Sequence, residues 1–180
     1  MKLLKTALMT ASALAMAAGM TLSSSATASA SPTNEFVNEN GNHCLAIDMA
    51  KEYQNFAIMW TCNHNPDQQW YRADYKGSDS GGDYYEIKNG YGQCLGTWEG
   101  ATGNGTSVVG WDCNGNPDQL WYFDTISSDP RYSAIRNHAA RANGDGNKCL
   151  AQYKGGSGDD APVVIWDCNG HSDQHWMRVG

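Results

Sequence analysis

Apolar residues along this chain fall in short runs separated by turns rich in Gly, Asn and Asp. In the middle of the chain the runs are Tyr84–Lys88, Gln93–Thr97, Ser107–Asp112 and Leu120–Asp124. Each has the length of a strand, and several carry the β-branched and aromatic residues that pack well on a pleated surface. No window carries the apolar period of an amphipathic helix. The pattern predicts an all-β chain of short strands.

The runs recur. Cys44-Leu45, Cys94-Leu95 and Cys149-Leu150 each open a unit, followed by Trp60-Thr61-Cys62, Trp111-Asp112-Cys113 and Trp166-Asp167-Cys168. Beyond each second Cys stands a Gln-x-Trp: Gln68-Gln69-Trp70, Gln119-Leu120-Trp121 and Gln174-His175-Trp176. Between them lie Asn65-Pro66-Asp67, Asn116-Pro117-Asp118 and His171-Ser172-Asp173, and short apolar signals around Val37, Ile87 and Ile135 precede the opening cysteines. The array takes in every Cys and every Trp except Trp98. It divides the chain into repeats over about residues 35–82, 83–130 and 131–180, each with four predicted strands. A propeller usually needs about four blades or more. Three four-stranded units closing on a pseudo-threefold axis make a β-trefoil, and closure removes sheet edges that would otherwise be exposed.

Residues 1–30 differ in kind. Lys2 and Lys5 are followed by an Ala/Leu/Met-rich stretch from Ala7 to Leu22, and Ala28-Ser29-Ala30 offers small residues at a cleavage site. This predicts a secretory signal peptide over 1–30 and one domain of about 150 residues over 31–180. The apolar stretch is too short and too rich in Ala, Ser and Thr to span a membrane. The expectation is a secreted, extracellular protein with no membrane insertion.

The leader holds two lysines and no acids, so removing it leaves ten Lys and Arg against 19 Asp and Glu, a formal charge of −9. That sign opposes nucleic acid and anionic membranes as partners. It also opposes self-association, so a monomer is expected. An even number of Cys in a secreted chain predicts disulfides. Pairing within each unit is the one choice that treats the three repeats alike: Cys44–Cys62, Cys94–Cys113 and Cys149–Cys168. Each closes a loop of roughly 20 residues, worth about 3 kcal/mol in the chain-entropy model. Zinc ligands usually come in closer Cys pairs than these. No metal and no cofactor is expected.

Three Gln-x-Trp motifs, each preceded by Cys-Leu and Trp-x-Cys, resemble the ricin B-chain type β-trefoil lectins over roughly residues 35–178. The chain looks like a secreted bacterial member of that type. The resemblance implies a carbohydrate-binding module of the kind found on secreted glycosidases and as toxin binding subunits. Trp70, Trp121 and Trp176 are expected in the core near the threefold axis. Gln68, Gln119 and Gln174 are expected to hold backbone groups, since a buried amide must be paired.

The sugar pocket of such lectins implies further positions, and here the chain departs from the pattern. The family's Asp, two residues after the first Cys, is replaced by Ala46, Gly96 and Ala151. The family's Gln, two residues before the aromatic, is replaced by Ile58, Val109 and Val164. The aromatic persists as Trp60, Trp111 and Trp166, and the polar residue before Gln-x-Trp is Asp67, Asp118 and Asp173. Asp48, Trp98 and Tyr153 stand two residues beyond the missing Asp, on the same strand face. The implied ligand is a polysaccharide bound weakly and multivalently. Trp60, Trp98, Trp111, Tyr153 and Trp166 would stack on sugar faces, with Asp48, Asp67, Asp118 and Asp173 accepting hydroxyl hydrogen bonds at the rim.

Catalysis is not expected. His43, His64, His138, His171 and His175 form no H-E-x-x-H arrangement, and no Ser stands in a nucleophile elbow. Asn143–Asn147 lacks the closing Glu of a calcium loop and reads as a Gly-rich turn inside an insertion. Asp79–Asp83 and Asp159-Asp160 read as solvated loops. The competing function is a non-sugar-binding trefoil acting on a protein ligand, such as a protease inhibitor, through the insertion over Arg131–Lys148.

Overall fold

The computed structural model describes residues 34–50 and 55–180. The expected leader over 1–30 lies outside them. Twelve strands form: β1 Glu35–Asn38, β2 Cys44–Ile47, β3 Ala57–Trp60, β4 Trp70–Asp79, β5 Gly82–Asn89, β6 Cys94–Thr97, β7 Thr106–Trp111, β8 Leu120–Thr125, β9 Tyr132–Asn137, β10 Lys148–Gln152, β11 Val163–Asp167 and β12 Trp176–Val179. The strands of the middle repeat fall within about two residues of the sequence reading.

Six strands close into a barrel. β1 pairs with β12, β12 with β9, β9 with β8, β8 with β5 and β5 with β4, all antiparallel. The ring is completed where Asn34 and Trp70 exchange backbone hydrogen bonds of 2.8 and 2.9 Å. The other six form hairpins β2–β3, β6–β7 and β10–β11, which cap one end. Neighbouring hairpins meet through Phe56↔Val109, Val164↔Ser107 and Ile58↔Pro162. This is the β-trefoil.

The core explains the repeat. Trp70, Trp121 and Trp176 are buried with Leu45, Leu95 and Leu150 and with Phe36, Ile87 and Ile135. Each indole N–H donates to the carbonyl of its own repeat's Leu, Trp70 to Leu45, Trp121 to Leu95 and Trp176 to Leu150, at 2.8–2.9 Å. Burying an indole requires such a partner, which couples the Gln-x-Trp to the Cys-Leu in every repeat. The three disulfides join Cys44–Cys62, Cys94–Cys113 and Cys149–Cys168, with Cα atoms 5.0–5.1 Å apart.

Two elements break the symmetry. The β4–β5 hairpin is long and carries register shifts. A helix, α1 (His138–Ala142), opens the insertion in the third repeat, with the Asn137 side chain accepting from the Ala140 N–H. Five residues are too few to register as a helical period, which is why the sequence pattern gave no sign of it. These two elements touch each other. Arg141 of α1 donates to Ser80 Oγ at 2.7 Å, and the hairpin tip is also held by neighbouring strands, Arg136 of β9 donating to Gly81 O at 2.9 Å and Tyr122 Oη of β8 to Asp79 Oδ2 at 2.8 Å. In place of the solvated loop expected over Asp79–Asp83, Asp79 ends β4 and Asp83 lies in β5. Asp159 likewise does structural work, accepting from the Thr61 N–H at 2.5 Å. No described helix is long and apolar enough to cross a membrane.

Candidate functional site

The turn after each second Cys is built the same way three times. Buried Gln68, Gln119 and Gln174 donate their amides to Thr61 O, Asp112 O and Asp167 O, at 2.9–3.1 Å. Their carbonyls accept from the N–H of Asn63, Asn114 and Asn169 at 2.8–2.9 Å. Those Asn side chains in turn accept from Asn65 N, Asn116 N and His171 N at 2.9 Å, closing an Asx turn. So the Gln of Gln-x-Trp sets the shape of the turn that follows the disulfide. The repeated Cys-Asn-x-(Asn/His) is the sequence signal of these turns.

Beside that turn, the Trp of Trp-x-Cys stands at or next to the end of the second strand of each hairpin. Trp60, Trp111 and Trp166 stand opposite Cys44, Cys94 and Cys149 in register and are 36%, 48% and 38% exposed. This contrasts with the fully buried Trp of Gln-x-Trp. A cleft of about 440 Å³ brings Trp111 together with Trp98, Glu99, Asn114 and Asp118. A symmetry-related cleft of about 310 Å³ brings Trp166 together with Lys154, Asn169, His171 and Asp173.

The cleft walls carry the chain's departure from the family pattern. Gly96 lies directly across from Val109, and Ala151 from Val164. The two positions that would hold the family's Asp and Gln are therefore cross-strand neighbours, and both line the clefts as small or apolar groups. At Gly96 a Cβ would stand 3.1 Å from Asp118 Oδ2, so the glycine makes room for the Asp118 carboxylate. That carboxylate accepts from the Thr97 backbone N–H, and burial pushes the Asp118 carboxyl above its ordinary value. Burial does the same to Asp67. The Thr97 hydroxyl is buried at the cleft edge and has no hydrogen-bond partner among the described residues.

A short turn after β6 and β10 forms the other lip. Trp98-Glu99-Gly100 and Tyr153-Lys154-Gly155 are equivalent. Glu99 and Lys154 are held at φ +53° and +52°, a left-handed conformation costly for a residue with a Cβ. Trp98 packs at an angle on Phe56, with ring centroids 5.3 Å apart, and Tyr153 stands 6.4 Å from Trp166. The first repeat differs. Asp48 is buried, and its Oδ1 accepts from the Ala50 N–H at 3.0 Å, while residues 51–54 lie outside the described set. The structure thus gathers Trp98, Trp111 and Asp118 in one cleft and Trp166 and Asp173 in another, whereas Tyr153 is not in that lining and only its ring neighbours Trp166. It places Asp48 in a local turn.

His/Cys/Asp/Glu groupings with metal-like spacing occur at Glu35–Cys44–Cys62 and Glu86–Cys94–Cys113, but in both the sulfurs are joined as a disulfide. A disulfide sulfur is no thiolate ligand.

The geometry has counterparts among known proteins. The designed threefold-symmetric protein ThreeFoil superposes with a TM-score of 0.72 at 18% identity, over 83% of this chain and 99% of its own. An exo-beta-1,3-galactanase from Clostridium thermocellum gives 0.68 at 25% identity, and this chain spans only 30% of it. A Macrolepiota procera ricin B-like lectin, in complex with lactose, gives 0.63 at 16% identity over 94% of its length. No curated protein sequence matches the chain. The family described as ricin-type beta-trefoil lectin domain matches residues 83–179, and a second, described as ricin-type beta-trefoil lectin domain-like, matches 23–111. With more than half of its length matched and its core, disulfides and turns built to the same threefold plan, this chain belongs to the ricin-type beta-trefoil lectin domain family.

Proposed function

We propose that this protein is a secreted carbohydrate-binding module that holds polysaccharide weakly, at two clefts, by stacking sugar rings on Trp111 and Trp166. The observation that carries the reading is the pair of symmetry-related clefts, each with a half-exposed Trp facing a half-buried Asp across an apolar wall. An exposed indole that adds nothing to the core is what stacking on a pyranose face requires. Asp118 and Asp173 supply hydroxyl acceptors, and the orphan Thr97 hydroxyl supplies one more polar group in the larger cleft.

The absence of the family's Asp and Gln at Gly96, Ala151, Val109 and Val164 removes the clamp that would single out one sugar's hydroxyls. The reading is therefore broad specificity and modest affinity per cleft, raised on a polymer by multivalency. The lactose-bound and galactanase relatives support a sugar ligand in general; the altered wall argues against galactose in particular. Migration of the native protein through gels containing soluble polysaccharides tests this. The expected result is retardation by at least one polysaccharide, lost in Trp111→Ala/Trp166→Ala, a variant that stays folded. Equal retardation of the double variant by every polysaccharide that slows the parent would remove the clefts from the binding site.

A further inference from the structure

The third repeat lacks a buried carboxylate that the other two possess. Glu35 in β1 and Glu86 in β5 are equivalent, only 7% and 3% exposed, and each places a carboxylate oxygen beside its repeat's disulfide. The oxygen and both sulfurs lie within 4.8 Å of one another. Glu35 accepts from the His64 N–H at 3.0 Å, and Glu86 is paired with Lys76 and Lys88 at 3.3 and 3.2 Å. At the equivalent position of β9 stands Ala134.

The space is not filled by a neighbour. A cavity of about 520 Å³ opens there, lined by Ala134, Cys149, Cys168 and Gly170 and roofed by Arg136 and Arg141. Gly170 is the counterpart of His64, whose N–H holds the Glu35 carboxylate. Arg136 is the counterpart of Lys88, which pairs with Glu86. Arg136 is fixed by Asp124, Gly81 O and Asn147, and Arg141 by Ser80 Oγ, with Asp79 3.9 Å from its Nε. Two guanidiniums face the cavity against the single carboxylate of Asp124 in its lining. The hairpin tip and the α1 insertion, the two departures from threefold symmetry, are what bring Ser80, Gly81 and Arg141 to it.

We propose that this cavity binds a carboxylate supplied by a ligand, in the place that Glu35 and Glu86 fill internally, and that the ligand is a uronic acid residue of a polysaccharide. The carboxylate half stands on the cavity alone. The sugar half rests on the cleft reading, because one turn serves both sites: Asn169 and His171 line the Trp166 cleft while Gly170 lines the cavity. A saccharide stacked on Trp166 has only that turn to cross. The net charge of −9 left without the leader repels a dense polyanion, but such charges are screened beyond a Debye length of roughly 8 Å at physiological salt. A chain with sparse uronates meets chiefly the local guanidiniums.

The test is a titration of the intact, disulfide-bonded protein with trigalacturonate, and with its methyl ester as the same sugar without charge, read by amide and indole NMR signals. Trigalacturonate should shift the Gly170 and Ala134 amides, and the ester should not. Ala134→Glu restores the missing internal carboxylate and should weaken trigalacturonate binding at least tenfold. Arg141→Gln, which leaves the cavity's shape, should weaken it severalfold. Cavity shifts that survive Ala134→Glu unchanged, equal shifts with acid and ester, or no shift at Gly170 and Ala134 would each overturn the proposal. Movement of the Trp166 indole signal alone would leave the cleft reading standing while removing this one, so the two fail separately.

Discussion

Truncating Trp121 and truncating Trp111 should have opposite signatures, although both are Trp in the same repeat. Trp121 is fully buried, with its indole N–H on Leu95 O, so Trp121→Ala should cost about 3–5 kcal/mol in urea denaturation. Trp111 is half exposed on the cleft, so Trp111→Ala should change stability by about 1 kcal/mol or less. Equal losses would mean that the exposed indole is part of the core. Asp67 and Asp118 make a second residue-level case. Burial raises both carboxyls above 3.8, so the folded state binds these protons more tightly than the unfolded chain. Stability should therefore fall as pH rises from 3.8 through the raised values. Asp67→Asn/Asp118→Asn should flatten that slope and be at least as stable as the parent at neutral pH. A variant with the parent's slope would contradict the assignment. The two Trp classes were legible in the sequence because Gln-x-Trp and Trp-x-Cys differ in their neighbours. The buried setting of Asp48 was not, because strand alternation gives its face but not the Ala50 N–H that claims its carboxylate.

At the level of elements, the disulfides and turns carry separable costs. Replacing Cys94 and Cys113 by Ser opens a loop of 19 residues' separation and should lower stability by about 3 kcal/mol. Gly100, at φ +70°, faces open space where a Cβ would stand. Gly100→Ala should thus cost about 1 kcal/mol through backbone strain alone, measured in the same denaturation series. A loss much above that would show contacts that the turn does not display. Strands β5–β8 were readable because their apolar runs end at Gly and Asn. The long β4–β5 hairpin and α1 were not. They contact each other, Arg141 of α1 donating to Ser80 Oγ with Asp79 nearby, and contacts between distant segments leave no local period in a sequence. The insertion over Arg131–Lys148 contributes β9, α1 and the start of β10 and packs back on the hairpin. Residues 142–147 of the insertion stay exposed, and a protein ligand held through that loop is the competing reading.

Across the whole molecule, threefold closure does two things at once. It buries one Trp per repeat at the axis and leaves one per repeat at the rim. Under the proposed reading, the two rim clefts formed by the described residues on one barrel make avidity the expected mode. Losing either Trp111 or Trp166 should therefore weaken retention on a long polysaccharide more than on a short oligosaccharide. Equal losses on both would point to a single working cleft. The symmetry was written into the sequence by Cys, Gln and Trp spacing, whereas the clefts' chemistry depends on which side chains meet across strands, as Gly96 meets Val109. The most direct measurement of the central claim follows the indole N–H signals of all seven Trp while a binding oligosaccharide is added. The signals of Trp111 and Trp166, with Trp98 beside the first, should move, and those of Trp70, Trp121 and Trp176, held on Leu carbonyls, should stay in place. Saturable binding that leaves the Trp111 and Trp166 signals unmoved would contradict the account.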